Sequence, residues 1–360
     1  MYSIGVDFHK AYSHMTVLDA QGQLLKAGKV PNTAEAVRAF VAPYREGGEA
    51  VLEATRNWTV MYDLLETELT AVHLAHPLKV RAIAEARIKT DRIDSRILAH
   101  LLRCDLLPTA YVRPREQRLS QQALRQRLFL VRVRTMVKNR IHVLIDRQAH
   151  VRETAPQFSD LFGQAGLAWL RRVELPPMER QLLNSELALF DALRERITSS
   201  DALVRSLATG DPRVRWARTI PGLGKFFAVL VVHEIGTIQR FATAEKLCAY
   251  AGLVPSFHAS GGKVFHGRLT KQGNKRLRWA MVEAVRPAVM TDPELRAYYD
   301  RLRQRKGSNP AKVATARRLL TLVHHVLTQE RPYRKPASQG MSRVKRRPRT
   351  ALISPLPALG

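Results

Sequence analysis

The sequence predicts an α/β N-terminal domain, a long helical, coiled-coil-like region after it, and a mostly α C-terminal domain. Three observations carry this reading. Short alternating apolar segments mixed with helical periodicity fill roughly the first 110 residues, and the stretch from Arg115 to Gln148 contains neither Pro nor Gly. Beyond about residue 216, apolar helical segments follow Gly-rich turns. With 360 residues, 45% of them hydrophobic and 25% charged, the chain can bury an ordinary core and is neither disordered nor fibrous.

The elements follow in order. YSIGVDF, SHMTVLDA and GQLLKAGKV read as three strands of a meander, the last after the Gln21-Gly22 turn. Asn32 or Thr33 caps a helix whose apolar positions are Ala36, Val37, Phe40 and Val41, and EAVLEAT is a buried strand ending at Glu53. Asn57 is placed to cap the helix WTVMYDLLETEL. AVHLA is a fifth strand, and Pro77 opens helical sequence that runs through KTDRIDSRILAHLLRC to about residue 104. The order β-β-β-α-β-α-β-α is that of a ribonuclease-H-like nuclease core. The expected domains are 1–110, a helical coiled-coil or linker region at 111–215, a C-terminal domain at 216–330, and a basic, disordered tail at 331–360 that carries RVKRRPR. Residues 156–210 read as a nearly neutral helical hairpin interrupted by Pro176-Pro177.

Charge is distributed unevenly. The first 110 residues hold 13 basic and 13 acidic side chains, so all of the net +28 lies beyond them. Residues 111–147 contribute +8, 148–218 only +1, 219–290 +7 and 291–360 +12. Such blocks suit a polyphosphate partner bound in a salt-dependent way. No apolar run approaches the ~20 residues of a membrane span. Cys104 and Cys248 match no disulfide framework or zinc spacing. A cytoplasmic protein, nucleoid-associated when bound to DNA, is expected.

Acids occupy the positions that a metal-dependent nuclease would use: Asp7 on the first strand, Glu53 at the end of the fourth, and Asp91 with Asp94. Residues three apart lie on one helical face, so the last two carboxylates can point at one spot. Hard oxygen ligands so converging would hold Mg²⁺ or Mn²⁺ for phosphoryl transfer. Taken singly, each acid also suits a solvated surface, with Asp91 and Asp94 paired to Lys89, Arg92 or Arg96. Asp7 is harder to dismiss, because an unpaired carboxylate among apolar strand residues is costly.

The cations fall in three places. On the long helix, Arg132 and Lys138, with Arg125, Arg127, Arg134 and Arg140, either track a phosphate backbone or face solvent on a coiled-coil arm. Gly222 and Gly224 before Lys225 resemble a helix-hairpin-helix turn, whose amides can meet a phosphate. GLVPSFHASGGKVFHGRLTKQGNKRLR then collects Lys263, Arg268, Lys271, Asn274, Lys275, Arg276 and Arg278 with no acid until Glu283, in an exposed hairpin entering a basic helix. Ser260, before Gly261-Gly262, has an open backbone that would let a phosphate reach its hydroxyl; Ser256 lies close by. A tyrosine-type alternative would use His100 and Arg103 with Tyr111, or Tyr298 and Tyr299 with His324 and His325.

GVDFHK, LEATRNW, KTDRIDSRILAHLL, IPGLG and GLVPSFHASGGKVFHGRLTKQGNKRLR, in that order, resemble the Piv-type DNA invertases and transposases of IS110 insertion sequences over residues 1 to about 330. The resemblance implies a RuvC-like nuclease module with its DEDD carboxylates at Asp7, Glu53, Asp91 and Asp94, and a transposase domain with nucleophilic Ser260. It implies recombination through phosphoserine links to DNA, and guidance by a bridge RNA that pairs with donor and target. Dimers would pair into tetramers. Ser95 stands where the family pattern has Ala, a harmless change. The remaining alternatives are a RuvC-like nuclease or junction resolvase with no protein nucleophile, and a nucleic-acid-binding protein whose acids are structural.

Overall fold

The computed structural model describes residues 1–84, 90–260, 263–269 and 272–334. Lys89, Gly261-Gly262, Lys271 and the tail from 335 lie outside the described residues, and of Ser256, Ser260, Lys263 and Arg268 the backbone alone is described. The chain divides into two compact units, Met1–Pro114 and Arg115–Gly360.

In the first unit, strands β1 (Tyr2–Phe8), β2 (Tyr12–Leu18), β3 (Leu24–Pro31), β4 (Gly48–Glu53) and β5 (Ala71–Ala75) form one sheet in the order β3-β2-β1-β4-β5. The first three strands form the antiparallel meander, and β4 and β5 run parallel to β1. Parallel neighbours need a crossover, which α2 (Trp58–Glu66) supplies between β4 and β5. Side chains alternate across each strand. Ile4 and Val6 therefore face a core with Val37, Phe40 and Val41 of α1 (Ala34–Val41) and Met61 and Leu65 of α2. Val51 and Ala75 face the other way, against Val80 of α3 (Pro77–Ile83) and Leu98, Leu101 and Leu102 of α4 (Asp91–Arg103). Both faces are thus covered by helices, as a sheet with parallel members requires.

Thr33 caps α1 by accepting from the Ala36 amide, and Thr90 caps α4 by accepting from the Ile93 amide. Asn57 stands at the cap position of α2, but it acts differently from the expected side-chain cap. Its backbone is left-handed, with φ 62°, and its side chain makes no capping bond. Asn tolerates that conformation better than most residues, which explains its presence there.

Gly5 fixes how closely α4 approaches the sheet. A Cβ built at that position would lie 1.9 Å from the Ser95 carbonyl oxygen and 2.6 Å from the Ala99 nitrogen, so main chain meets main chain. Gly5→Ala is expected to push α4 outward and cost about 1–3 kcal/mol, the usual range for overpacking. Thermal denaturation against the parent chain measures it, and an unchanged melting temperature would refute the close approach.

The second unit begins with α5 (Arg115–Asp146), as the lack of Pro and Gly predicted, and the short α6 (Ala149–Thr154) follows it. The partner of α5 is α8 (Pro177–Thr209), not another half of the 156–210 segment, which contains only the short α7 (Gln164–Leu170) before the prolines. Arg127 pairs with Asp201 and Arg140 with Glu186, so rising numbers on one helix meet falling numbers on the other and the two run antiparallel. Val137, Ile141, Leu183, Leu187 and Phe190 fill the seam. Pro177 opens α8 because the first helical turn needs no amide donor.

The rest of this unit surrounds a larger core. It comprises α9 (Pro212–Ala217), α10 (Lys225–Ile235), α11 (Ala244–Tyr250), the hairpin β6 (Pro255–Ser260) and β7 (Lys263–Leu269), then α12 (Lys275–Thr291), α13 (Pro293–Lys306) and α14 (Ser308–Thr328). Residues 228–232 and 235 of α10 are buried on every side, against Leu277, Met281 and Val285 of α12 and Leu319, Leu320 and Val323 of α14. Among the described residues no helix is long and apolar enough to cross a membrane.

Candidate active site

The site grows from β1. Asp7 pairs in register with His14 on β2, Glu53 ends the neighbouring β4, and Asp91 and Asp94 occupy the first turn of α4, where the helix dipole favours negative charge. All four carboxylates line one cavity of about 700 Å³, with His9, Thr55, Arg81 and the apolar Leu78, Val80, Ile97 and Leu98 around them. The i, i+3 pair at the start of α4 thus lines the same cavity as the two strand acids.

Within the cavity, Asp7 is mostly covered, its side chain 22% exposed. Burial pushes its carboxyl above the usual carboxylate range; the charges of Asp91 and Asp94 push the same way, and His9 opposes them. His9 Nε2 lies 3.0 Å from Asp7 Oδ2 and 3.3 Å from Asp91 Oδ1. The Tyr12 hydroxyl donates to Asp91 Oδ2 at 2.9 Å, and this bond above all holds the Asp91 carboxyl below its usual range. Atoms of Asp7, His9 and Asp91 lie within 4.8 Å of one another, a spacing that suits one cation. Two hard oxygens, with Asp94 and Glu53 on the same walls, fit a divalent ion such as Mg²⁺ or Mn²⁺.

Sequence reasoning gave no role to His9 or Tyr12. His9 carried a readable signal, since residues two apart on an extended chain share a side and Asp7 was already suspected. Tyr12 carried none, because its approach to Asp91 depends on how α4 crosses β2. Ser95 is more than a harmless change. It is fully buried, with its Oγ 2.8 Å from both His14 Nδ1 and Thr16 Oγ1 and 3.2 Å from the Arg92 carbonyl. These bonds tie the first turn of α4 to β2, just behind the acids.

In the second unit, Ser260 closes β6 and pairs with Lys263 of β7. The expected cations meet different fates. Arg132, Lys225, Lys275 and Arg276 are exposed, as is Gly224 at the cap of α10. Gly222 has φ +84°, and a Cβ there would lie 2.2 Å from the Ala284 carbonyl, so its glycine is required by packing on α12. Lys138 stacks over Phe162, its Nζ 4.5 Å from the ring centroid. Arg278 donates to the carbonyls of Ala251 and Gln272. Asn274 is engaged inside the fold. Its Oδ1 caps α12 at the amides of Arg276 and Leu277, and its Nδ2 donates to Glu234 at 2.8 Å. Glu234, fully buried, also receives both Arg125 donors and the Gln121 amide.

Of the residues of the tyrosine-type alternative, three are engaged within the fold, whereas Tyr111 and His325 are exposed. His324 is buried with Nε2 3.0 Å from the Phe241 carbonyl, Tyr299 bonds Ser308, and Arg103 reaches the Ala20 carbonyl and Cys104.

Comparison with known proteins points to transposases of insertion sequences. A transposase model of the IS110 DEDD kind matches residues 4–149, and the model of the IS116/IS110/IS902 transposase family matches residues 210–300. The transposase for insertion sequence element IS1111A of Coxiella burnetii is 26% identical, with 92% of this chain and 91% of that protein covered. A probable family 20 transposase of Pseudomonas aeruginosa is 26% identical over 62% of this chain and 67% of its own length. The pilin gene-inverting protein of Moraxella bovis is 31% identical over 39% of this chain and 46% of its own length. The two family matches, in chain order, define the class as DEDD transposases. The chain belongs to the IS110/IS116/IS902 family.

Proposed function

We propose that the protein recombines the DNA of its insertion sequence, with Ser260 as nucleophile and Asp7, Glu53, Asp91 and Asp94 as a cation-holding set in a RuvC-like nuclease module. The observation that carries this reading is the convergence of those acids, distant in sequence, on one cavity. The Ser260 hydroxyl attacks a phosphodiester, a phosphoserine ester forms, and a deoxyribose hydroxyl leaves. Attack by a second DNA hydroxyl then releases the serine and joins the strands, so no external energy source is consumed. A bound Mg²⁺ or Mn²⁺ would neutralise charge on the phosphate. Lys263, paired with Ser260 across the hairpin, and Arg268, Lys271, Lys225, Lys275 and Arg276 would hold the backbone, each through a salt-dependent contact.

Expressing the protein with its flanking element DNA, trapping covalent adducts and locating the modified peptide by mass spectrometry tests this. The expected adduct lies on Ser260 and vanishes in Ser260→Ala. An adduct on Ser256 or on a tyrosine, or metal-dependent cleavage with no adduct, overturns it.

The net +28 also supports an RNA partner, a structured bridge RNA encoded beside the gene. Self-association has its own support. Phe129, Met136 and Val143 on α5 recur every seven residues and are 58, 56 and 48% exposed, and Leu182 and Leu189 on α8 continue the pattern. Apolar residues at heptad spacing on an exposed face suit a second copy of the helix pair. Phe129→Glu with Met136→Glu is expected to shift the dimer or tetramer to monomer in light scattering; an unchanged mass would exclude that face.

A further inference from the structure

We propose that His9 is itself a metal ligand, its Nε2 completing a three-atom nitrogen–oxygen set with Asp7 Oδ2 and Asp91 Oδ1 that binds Mn²⁺ in preference to Mg²⁺. This rests on the reading of the acids as a cation site and adds a donor to it.

Geometry is the first argument. An octahedral ion about 2.1 Å from its ligands sets neighbouring ligands about 3.0 Å apart. Nε2 is 3.0 Å from one carboxylate oxygen and 3.3 Å from the other, so both separations already match an octahedral edge. The same nitrogen makes both approaches, and each carboxylate contributes a single oxygen.

The division of labour at Asp91 is the second argument. Its Oδ2 is held by the Tyr12 hydroxyl, which leaves Oδ1 directed at the His9 side of the cavity. A ligand carboxylate oriented by a neighbouring donor is the usual support of a metal centre. The His9 ring also lies against Tyr12, with centroids 5.0 Å apart, so one tyrosine fixes both prospective ligands. An imidazolium bridging two carboxylates would give similar distances, and the experiment separates the two.

Donor chemistry sets the metal. Carboxylates alone suit Mg²⁺, Ca²⁺ and Mn²⁺ alike, whereas imidazole favours first-row transition ions. Mixing the two therefore shifts preference from Mg²⁺ toward Mn²⁺ without excluding either.

The test uses the full-length protein loaded with Mn²⁺ and read by pulsed electron paramagnetic resonance. The parent chain is expected to show modulation from a directly bonded ¹⁴N that disappears in His9→Gln. Mn²⁺ affinity in that variant falls at least about tenfold while Mg²⁺ affinity changes less. His9 is 40% exposed, so the variant folds like the parent, which its thermal melt checks, and the parent spectrum alone already decides the point. Bound Mn²⁺ that Asp7→Asn abolishes but that shows no nitrogen coupling, or coupling that survives His9→Gln, overturns the proposal and leaves the acid site standing. Mn²⁺ binding equal in the parent and in Asp7→Asn overturns both.

Discussion

Asp7→Asn is expected to lower DNA strand cleavage by at least about 100-fold and, at the same time, to raise the melting temperature of the cation-free protein at neutral pH. The first effect follows from position. Asp7 stands on the central strand between the β4 and α4 acids, and the amide that replaces it is a far poorer partner for a divalent ion. The second follows from burial, which places the folded carboxyl above its unfolded value. A group shifted in that direction contributes its stability in full below the unfolded pKa and loses it as pH rises through the folded value. At pH 7.5 the folded chain holds an anion poorly compensated by solvent, and the uncharged amide removes that burden. Thermal melts in chelator at pH 4 and pH 7.5 are expected to show little difference between the chains at the lower pH and the largest difference at the higher. A variant that is less stable at pH 7.5 would refute the burial argument, and cleavage within tenfold of the parent would refute the role.

The largest expected loss of stability comes from Glu234→Ala. Glu234 is fully buried, and it accepts from Arg125 through two nitrogens, from Gln121 and from Asn274. Removing one partner of a buried pair leaves a charge without compensation, at a cost of about 3–5 kcal/mol. Because the Arg125 side chain is 34% exposed and can turn partly to water, the lower end applies to the ion pair itself. Gln121 and Asn274 lose an acceptor as well. For a unit of this size the melting temperature is expected to fall on the order of 10 °C. Differential scanning calorimetry measures it, and a drop of a degree or two would mean that the network is dispensable. Glu234→Gln keeps the acceptor oxygen and is expected to fall between the two.

These two residues mark the limits of what the sequence discloses. Asp7 was legible because a charge inside an alternating apolar strand conflicts with its surroundings, and the conflict points to a function. Glu234 was invisible, although it too is buried, because FFAVLVVHEI is apolar around the whole helix and no periodicity says which neighbour meets which face. Its partners lie 113, 109 and 40 residues away. The strands and helices of the first unit were readable from local signals: Thr33 as a cap, Pro77 as a first helical residue, and alternation through β1 and β2. The pairing of α8 with α5 was not, since the 156–210 segment looked able to fold back on itself. Asn274 looked like a phosphate-binding residue because its neighbours are cations, and its commitment to the α12 cap and to Glu234 emerges only from the packing.

The contact between Gly5 and α4 carries one more consequence. The gap between the strand acid and the helix acids is set by backbone resting on backbone, with no side chain interposed to be trimmed or enlarged. The spacing of the acids is therefore insulated from sequence drift on the exposed face of the helix. The exposed Arg92 and Arg96 can vary in a mutational library at little expense to the site, whereas any side chain at position 5 moves α4 away from the strand acid. A hydrogen atom in place of a side chain serves here as the spacer that keeps the acids in register.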